Sequence, residues 1–244
     1  FIPPLILDLN ANVAPFTRRQ LYFGTFRVWR GDSDPNSTAA PNWTAISQDL
    51  NNGSSVRALA VSPHDSRIVW AGTAVGSIHR TLDATQFQNW QNVTGSGMLP
   101  NRTVTALAID PHDPTSNTVY ATFSGFTFGS DTRGHVFVTT NGGAAWTDIS
   151  SNLPNTPVND IIVDPDENGT LFIGTDVGVF MSRNGGASWT TLDPAPTQSL
   201  PTVAVLGLKL HRPTRLLRAG THGRGMWDLT LSNFNPTFNL ASMS

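Results

Sequence analysis

The segment Thr139-Thr140-Asn141-Gly142-Gly143-Ala144-Ala145-Trp146 decides the fold, because it returns as Ser182-Arg183-Asn184-Gly185-Gly186-Ala187-Ser188-Trp189. Looser copies of this turn run from Thr81 to Trp90 and from about Asp32 to Trp43. The copies recur with a period of roughly 45 to 55 residues, which indicates repeated supersecondary units that bury their faces on one another.

Each repeat is predicted to contain four short strands. A short apolar strand comes first and ends at a polar residue, in three copies followed by Pro, which ends a strand because it lacks the N–H donor. These first strands are Leu5–Asp8, Ala58–Pro63, Ala106–Pro111, Ile161–Pro165 and Leu208–His211. The second strands, all of which end in Gly-Thr or Ala-Thr, are Leu21–Thr25, Val69–Thr73, Val119–Thr122, Leu171–Thr175 and Leu217–Thr221. The third strand alternates in polarity, and the fourth begins at the Trp of the turn.

Four antiparallel strands per repeat without helical periodicity predict an all-β fold, a β-propeller with about five four-stranded blades. The predicted propeller spans 1–231 and is followed by a C-terminal tail, 232–244. Its blades are expected at about 1–55, 56–103, 104–157, 158–202 and 203–231. Equivalent positions between neighbouring blades are expected for four tryptophans, Trp43, Trp90, Trp146 and Trp189.

The last blade is predicted to be incomplete, because no strand with the Trp-Thr signature follows Met226–Leu231. Two alternatives remain open. The tail around Thr237–Leu240 supplies the missing strand, or the chain is one piece of a larger ring. The chain begins at Phe1 rather than Met, and we expect a processed or excised product. An unpaired outer strand would invite pairing with another chain or with the rest of a larger protein.

Composition excludes several classes of protein. Charged residues are 13% of the chain and the net charge is −2, which argues against a nucleic-acid partner. There is no Cys, so disulfides and thiolate metal sites are excluded. No apolar run reaches the roughly 20 residues of a membrane helix. We expect no cofactor and no metal site, since His64-Asp65, His112-Asp113 and Asp164–Glu167 have the composition of turns.

The pattern Ser/Thr-x-Asp/Asn-x-Gly-x-x-Trp resembles the Asp-box of the BNR, or sialidase-like, repeat superfamily. Its structural positions here are Asp83, Asn141, Gly143, Trp146, Asn184, Gly186 and Trp189. The segment Ala219–Trp227 is similar to the closing part of large secreted bacterial BNR-repeat proteins often labelled glycosyl hydrolases. Those proteins are longer than this chain, which favours a fragment. The resemblance implies a bacterial protein that is secreted, periplasmic or in the cell envelope.

The resemblance leaves function open, because the superfamily includes sialidases, xyloglucan-cleaving enzymes, sortilin-type receptors and a photosystem II assembly factor. A sialidase would need an Arg triad and a Tyr–Glu nucleophile pair. The only tyrosines, Tyr22 and Tyr120, lie in predicted second strands, which argues against a sialidase.

The loops that join strands two to three and four to one are expected to form the ligand-binding face. Its candidate catalytic carboxylates are Asp131, Asp160 and Asp176, with Asp49 and Asp193 as further acidic residues. A glycosidase needs two carboxylates roughly 5 to 10 Å apart. The alternative is structural: Asp176 caps a tight turn and Asp160 bonds a neighbouring loop.

Candidate ligand- or partner-binding residues on the same face are Arg27, Phe126, Phe128, Arg133, His222 and Arg224, together with Arg57 and Arg102. An Arg side chain can bind a carboxylate as a fork of donors, and a His there would titrate near neutrality. The Ser124–Ser130 insertion places two Phe in an otherwise polar loop, which indicates a contact surface for a partner or a sugar ring. The alternatives are that Arg224 lies over Trp227 and that both Phe side chains fill the channel.

The function expected from these observations is a non-enzymatic binding or assembly module for a protein partner or a glycan. One alternative is a polysaccharide-cleaving glycoside hydrolase, or a fragment of one, that uses two of the three candidate carboxylates. Another is a subunit of a larger complex whose last blade is paired by another polypeptide.

Overall fold

A computed structural model describes residues 2–8, 19–33, 40–95, 97–192, 200–231 and 238–240. Within these ranges the regular structure is twenty β-strands and one short 3-10 helix, Arg212–Thr214.

The strands form five antiparallel sheets of four, and in each sheet the spatial order follows the chain. Sheet one contains β1 (Leu5–Leu7), β2 (Arg19–Gly24), β3 (Val28–Ser33) and β4 (Trp43–Ala45). Sheet two contains β5 (Val56–Val61), β6 (Val69–Thr73), β7 (Ile78–Thr81) and β8 (Trp90–Asn92). Sheet three contains β9 (Val104–Ile109), β10 (Val119–Phe123), β11 (Val136–Thr139) and β12 (Thr147–Asp148). Sheet four contains β13 (Val158–Val163), β14 (Leu171–Thr175), β15 (Gly178–Ser182) and β16 (Thr190–Thr191). Sheet five contains β17 (Val205–His211), β18 (Leu216–Thr221), β19 (Met226–Thr230) and β20 (Phe238–Leu240). The all-β fold with five four-stranded, propeller-type blades is therefore confirmed.

The outer strand of sheet five comes from the C-terminal segment. Phe238 lies opposite Leu229, and Leu240 lies opposite Trp227. Of the two sources left open for this strand, the tail is the one found, and sheet five has four strands rather than three.

The chain divides into two compact units, residues 1–121 with 138–147 and residues 122–137 with 148–244. The core of the first unit contains Tyr22, Val28, Val56, Val69 and Trp90, from sheets one and two. The core of the second unit contains Phe172, Val205, Leu208, Leu217 and Leu229, from sheets four and five. Each core forms where the apolar residues of one sheet meet those of the next.

A repeated hydrogen bond joins consecutive sheets within each unit. In the first unit the indole N–H of Trp90 donates to the Ile46 carbonyl, and that of Trp146 donates to the Val93 carbonyl, both at 2.8 Å. In the second unit Trp189 donates to Ile149, again at 2.8 Å. Each acceptor is the residue that directly follows the fourth strand of the preceding sheet.

Trp43 does not follow this pattern, and the expectation that it lies between two blades is wrong. Its side chain is 38% exposed, whereas the other three tryptophans are buried. The difference arises because the described residues around Trp43 leave its side of sheet one open to solvent.

The turns before Trp146 and Trp189 are held by their own side chains. Thr139 Oγ1 accepts the Gly143 N–H at 2.9 Å, and Asn141 Oδ1 accepts the Ala145 N–H at 2.9 Å. Gly143 has φ of 87°, and a Cβ there would meet the Val93 side chain at 2.5 Å. Glycine is required on both counts. The second copy repeats the bonds with Ser182 and Gly186 at 2.9 Å and with Asn184 and Ser188 at 2.9 Å.

Candidate functional site

The loop between β10 and β11 carries two aromatic rings into solvent. Phe126 is 58% exposed and Phe128 is 90% exposed. Leaving a Phe side chain in water forgoes roughly 1.5–3 kcal/mol of burial free energy. Exposed apolar side chains grouped in one loop are common in contact surfaces, so the loop stays a candidate. The channel-filling alternative does not agree with these exposures.

Asn155 anchors this aromatic loop. Its Oδ1 accepts the Thr127 main-chain N–H at 2.8 Å, and its Nδ2 donates to the Thr127 carbonyl at 3.2 Å. His135 Nε2 lies 3.1 Å from the same Oδ1. Thr127 stands between the two Phe residues, so these bonds fix the backbone from which both rings project. Sequence reasoning did not identify Asn155, since a single Asn in a loop carries no pattern.

The Asp131 carboxylate stabilises the far end of the same loop. Its Oδ1 accepts the Arg133 main-chain N–H at 3.2 Å and lies 3.8 Å from the guanidinium of Arg133. The Asp131 main chain pairs with that of Phe128. The acidic and basic residues predicted here are therefore brought together, and both side chains are partly exposed.

Asp160 binds main-chain donors through both carboxylate oxygens. Oδ1 accepts the Ile161 N–H and Oδ2 accepts the Leu208 N–H, each at 2.8 Å. Burial raises the pKa of Asp160, and the hydrogen bonds from Leu208 and Ile161 and the charge of Lys209 oppose that rise. The carboxylate lies where the β13–β14 and β17–β18 pairings are both irregular, and it ties sheet four to sheet five. This is the structural alternative given for Asp160 above.

Asp176 is the best-positioned carboxylate for a ligand. Asn159 Nδ2 donates to its Oδ1 at 2.8 Å and also to the Val205 carbonyl at 3.1 Å. Gly178, two residues on, has φ of 123° and makes the tight turn. The Asp176 side chain stays half-buried and reaches solvent. Asn159 is a positioning residue that sequence reasoning did not identify.

The His222–Gly225 segment is a turn with exposed side chains. The His222 N–H donates to the Ala204 carbonyl at 2.8 Å, and Thr221 Oγ1 donates to the Gly225 carbonyl at 2.6 Å. The Trp227 indole N–H donates to the Arg224 main-chain oxygen at 3.0 Å. The imidazole of His222 and the guanidinium of Arg224 are therefore presented to solvent by a turn whose backbone is held.

The predicted site residues in the described loops of the first unit include a single carboxylate, Asp49, so they form no carboxylate pair. The Arg27 guanidinium lies 5.6 Å from the centre of the exposed Phe26 ring. Asp49 accepts the N–H groups of Asn51 and Gly53 at 3.1 and 2.7 Å and so stabilises its own turn. Arg57 and Arg102 are half-buried with other partners. Asp193 lies outside the described residues.

An apolar cavity of about 510 Å³ opens on sheet one. It is lined by Leu5, Phe23, Thr25, Phe26, Trp29 and Trp43. Sequence reasoning assigned none of these side chains to a cavity, although the consecutive apolar residues of β1 and β2 are visible in the sequence.

Three further observations on the described residues concern metal sites, the two tyrosines and membrane-spanning helices. No group of three or more His, Asp or Glu in the described ranges is arranged to hold a metal ion. Tyr22 and Tyr120 are buried in second strands, where neither can act as an exposed nucleophile. Over the same residues, no helix has the length and hydropathy of a membrane span.

Comparisons with known proteins show the fold. No family profile and no curated protein matches the sequence. An ancestral GH74 enzyme is similar in structure, with a TM-score of 0.69 at 21% identity over 97% of this chain and 30% of that one. The GH74 xyloglucanase of Xanthomonas campestris gives a TM-score of 0.61 at 15% identity over 86% of this chain and 34% of that one. YCF48 bound to a D1 peptide gives 0.54 at 15% identity over 78% of this chain and 56% of that one.

The chain spans about a third of the length of the two GH74 enzymes. At these identities the likeness establishes a propeller-type fold and leaves activity to be argued from the side chains.

Proposed function

We propose that this chain is a non-enzymatic recognition module, part of a secreted or envelope protein, that binds its ligand through the aromatic loop between β10 and β11. The observation that carries the proposal is the exposure of Phe126 and Phe128 on a backbone held by Asn155. A held loop loses little conformational freedom on binding, and two rings in fixed positions supply apolar contact area at low entropic cost.

The ligand class we favour is a polysaccharide. The apolar faces of sugar rings stack on flat aromatic side chains, and the two Phe are followed by an Arg that can donate to hydroxyl oxygens. One of the similar structures is a xyloglucanase, which makes xyloglucan a reasonable first ligand to test. A peptide is the alternative, since another similar propeller was solved with a bound peptide.

A binding role fits the carboxylates better than hydrolysis does. Glycoside hydrolysis requires one carboxylic acid and one carboxylate on opposite sides of the scissile bond. Asp160 has both oxygens engaged with main-chain N–H groups, and Asp131 is engaged in its own loop. Asp176 is the candidate that stays both positioned and accessible.

The test is calorimetric titration and affinity electrophoresis with xyloglucan and a panel of β-glucans. Phe126→Ala with Phe128→Ala is expected to weaken binding at least tenfold, since hot-spot aromatic residues each contribute about 1–2 kcal/mol or more. The matched control is Phe87→Ala, which removes an exposed Phe from another loop and should leave the affinity unchanged. Equal affinity in the double variant and the unmodified chain would refute the proposal. Peptide binding that depends on the two Phe, without glycan binding, would identify a protein ligand instead.

A second candidate function is polysaccharide hydrolysis by Asp176 together with Asp131 or Asp160 as the second carboxyl group, favoured by the Asn159 contact that orients Asp176. Release of new reducing ends from xyloglucan, lost in Asp176→Asn and kept in the double Phe→Ala variant at saturating substrate, would support it. No release of reducing ends across the panel would exclude it.

A further inference from the structure

Sheet one has one face that is apolar and open. Strand pairing places two rows of side chains on this face, Leu5, Phe23, Trp29 and Ala45 in one row and Leu7, Leu21, Gly31 and Trp43 in the next. None of these eight residues is ionisable. Leu5 is 59% exposed, and Leu7 and Trp43 are exposed as well. Apolar side chains so concentrated on one side of a sheet normally pack against another layer.

The open face is ordered by its own contacts. The rings of Phe23 and Trp43 lie 5.9 Å apart, and the Trp29 indole N–H donates to Thr25 Oγ1 at 3.1 Å. Gly31 lies beneath Trp43, where a Cβ would come within 3.0 Å of the indole. These contacts shape the cavity of about 510 Å³ described above.

The same chain shows what covers this face in its other copies. Trp90 occupies in sheet two the position that Trp43 occupies in sheet one, because each is the first residue of the fourth strand. It is buried against sheet one and donates to the Ile46 carbonyl. Trp146 is likewise buried, with its indole donating to Val93 and meeting the Trp70 ring edge-on at 6.3 Å and 88°. In each case the face that carries the Trp packs against the sheet that comes before it in the chain.

The covering faces share two features. The first is a large aromatic side chain in the second strand, and in sheets one to four it is buried: Tyr22, Trp70, Tyr120 and Phe172. The second is the main-chain carbonyl that follows the fourth strand, which accepts the indole N–H of the next sheet.

The corresponding face of sheet five carries a charged side chain where the other four sheets carry an aromatic one, and charged side chains lie beside it. Arg218 stands at the second-strand position and makes a two-pronged ion pair with Asp228, both N···O distances being 2.7 Å. Lys209 lies opposite Arg218 on the neighbouring strand. Covering an apolar face with this pair would remove two charges from water, and the loss of their hydration opposes such a contact. Sheet five of a second copy is therefore a poor cover for sheet one.

We propose that the apolar face of sheet one seats a further blade of the same repeat type, carried by the same polypeptide immediately before β1. That blade supplies a large apolar side chain from its second strand to the cavity and a main-chain carbonyl to the Trp43 indole N–H. The assignment to the same polypeptide follows from connectivity, because every covered face in the chain is covered by the blade that precedes it in sequence.

The test extends the full chain before Phe1 with a second copy of residues 56–103, which contains Trp70 and the Val93 carbonyl that accepts an indole in the native junction. The Trp43 indole N–H resonance is assigned by its loss in Trp43→Phe. The extension is expected to slow hydrogen exchange at this N–H at least tenfold. The matched control is the same extension with Trp70→Arg in the added copy, which imitates sheet five and should give no slowing. Unchanged exchange in the unmodified extension would overturn the proposal.

A measurement on the unextended chain keeps the proposal testable if the extended chain fails to fold. The open face should bind a hydrophobic dye, and Leu5→Lys with Trp43→Gln should reduce dye fluorescence at least threefold without lowering Tm. Leu82→Lys removes an exposed Leu elsewhere and serves as control. Equal dye binding in the double variant would overturn the proposal. Sedimentation that shows dimers of the unmodified chain, lost in the double variant, would also overturn it by identifying a second copy as the occupant.

Discussion

Two junctions of the second unit join their sheets by different chemistry. Between sheets three and four, Trp189 is 2% exposed and donates to the Ile149 carbonyl at 2.8 Å. Between sheets four and five, Arg215 donates to both oxygens of Asp164 at 2.7 and 2.6 Å and to Asp166 at 3.0 Å. Both junctions bury apolar side chains. The first, the tryptophan junction, adds neutral hydrogen bonds from Trp189, Ser151 and Asn152, and the second, the ion-pair junction, adds a network of ion pairs.

The second junction lacks a tryptophan because of the source of its outer strand. Sheet four takes its outer strand from its own repeat, with Trp189 directly before β16. Sheet five draws β20 from the C-terminal segment, which contains no tryptophan. Arg215 adopts a left-handed backbone, φ 51° and ψ 40°, directly after the 3-10 helix, and its side chain reaches the buried carboxylate of Asp164.

The ion-pair junction depends on the charge state of Asp164, whereas the tryptophan junction depends on packing. Burial would raise the pKa of Asp164, but the hydrogen bonds from Arg215 and from the Asp166 main chain outweigh it and hold that pKa below its usual value. The same contacts raise the pKa of Arg215. The stability from this pair is therefore present above the ordinary pKa of an Asp and is lost as the pH falls through the lowered one.

The largest expected effect is at the tryptophan junction. Trp189→Ala should lower the free energy of unfolding by about 3–5 kcal/mol, because it leaves a cavity and an unsatisfied carbonyl at Ile149. Trp43→Ala, at the equivalent but open position, should cost about 1 kcal/mol or less. Urea unfolding of both variants measures the difference. Equal losses would show that burial does not distinguish the two positions.

At the ion-pair junction, Arg215→Met should cost about 3 kcal/mol, because it leaves the Asp164 carboxylate buried without its partner. Asp164→Asn added to it should recover part of the loss. The matched control is Arg212→Met, since Arg212 is 63% exposed and its pair with Asp166 should contribute about 1 kcal/mol or less. Denaturant midpoints at pH 7 measure all three. A loss for Arg212→Met as large as that for Arg215→Met would contradict the assignment.

The junction between sheets one and two should be sensitive to mild acid. Burial lowers the pKa of His79 from 6.5 to about 4, and Ser77 Oγ lies 3.2 Å from its Nε2. Below pH 6.5 the unfolded chain binds a proton that the folded chain does not, so stability should fall by about 2 kcal/mol from pH 6.5 to 5. His79→Gln should remove this part of the slope. Parallel pH profiles for the two chains would show that His79 is not the group responsible.

The smallest expected effect separates two adjacent glycines of one turn. Gly186 has φ of 91°, and a Cβ there would meet the Ile149 side chain at 2.6 Å. Gly185 has φ of 67°, with no atom within 4 Å of the corresponding Cβ position. Gly185→Ala should cost about 1 kcal/mol from backbone strain, and Gly186→Ala about 1 kcal/mol more from the contact. Thermal unfolding of the two variants measures the difference in their stability. Equal stability would mean that the Ile149 side chain moves aside without cost.

Much of the site could not be predicted from local patterns. Asn155 and Asn159 lie in stretches without periodicity, and their roles come from partners 28 and 17 residues away in the chain. Asp160 and Asp176 look alike in sequence, yet one is bound by two main-chain N–H groups and the other reaches solvent. The prediction that Phe126 and Phe128 are ligand-binding residues stays a prediction.

By itself, the sequence determined the repeat, the five-sheet fold and the turns that precede Trp146 and Trp189. These depend on strand alternation, on Gly at positive φ and on short-range hydrogen bonds, all of which act over a few residues. Only the tertiary structure decided that Trp43 is open while its counterparts are buried, that β20 completes sheet five, and that Arg215 forms an ion pair with Asp164 at the last junction. Those outcomes depend on which surfaces meet, and the free energy of burying a side chain is set by the neighbour that covers it.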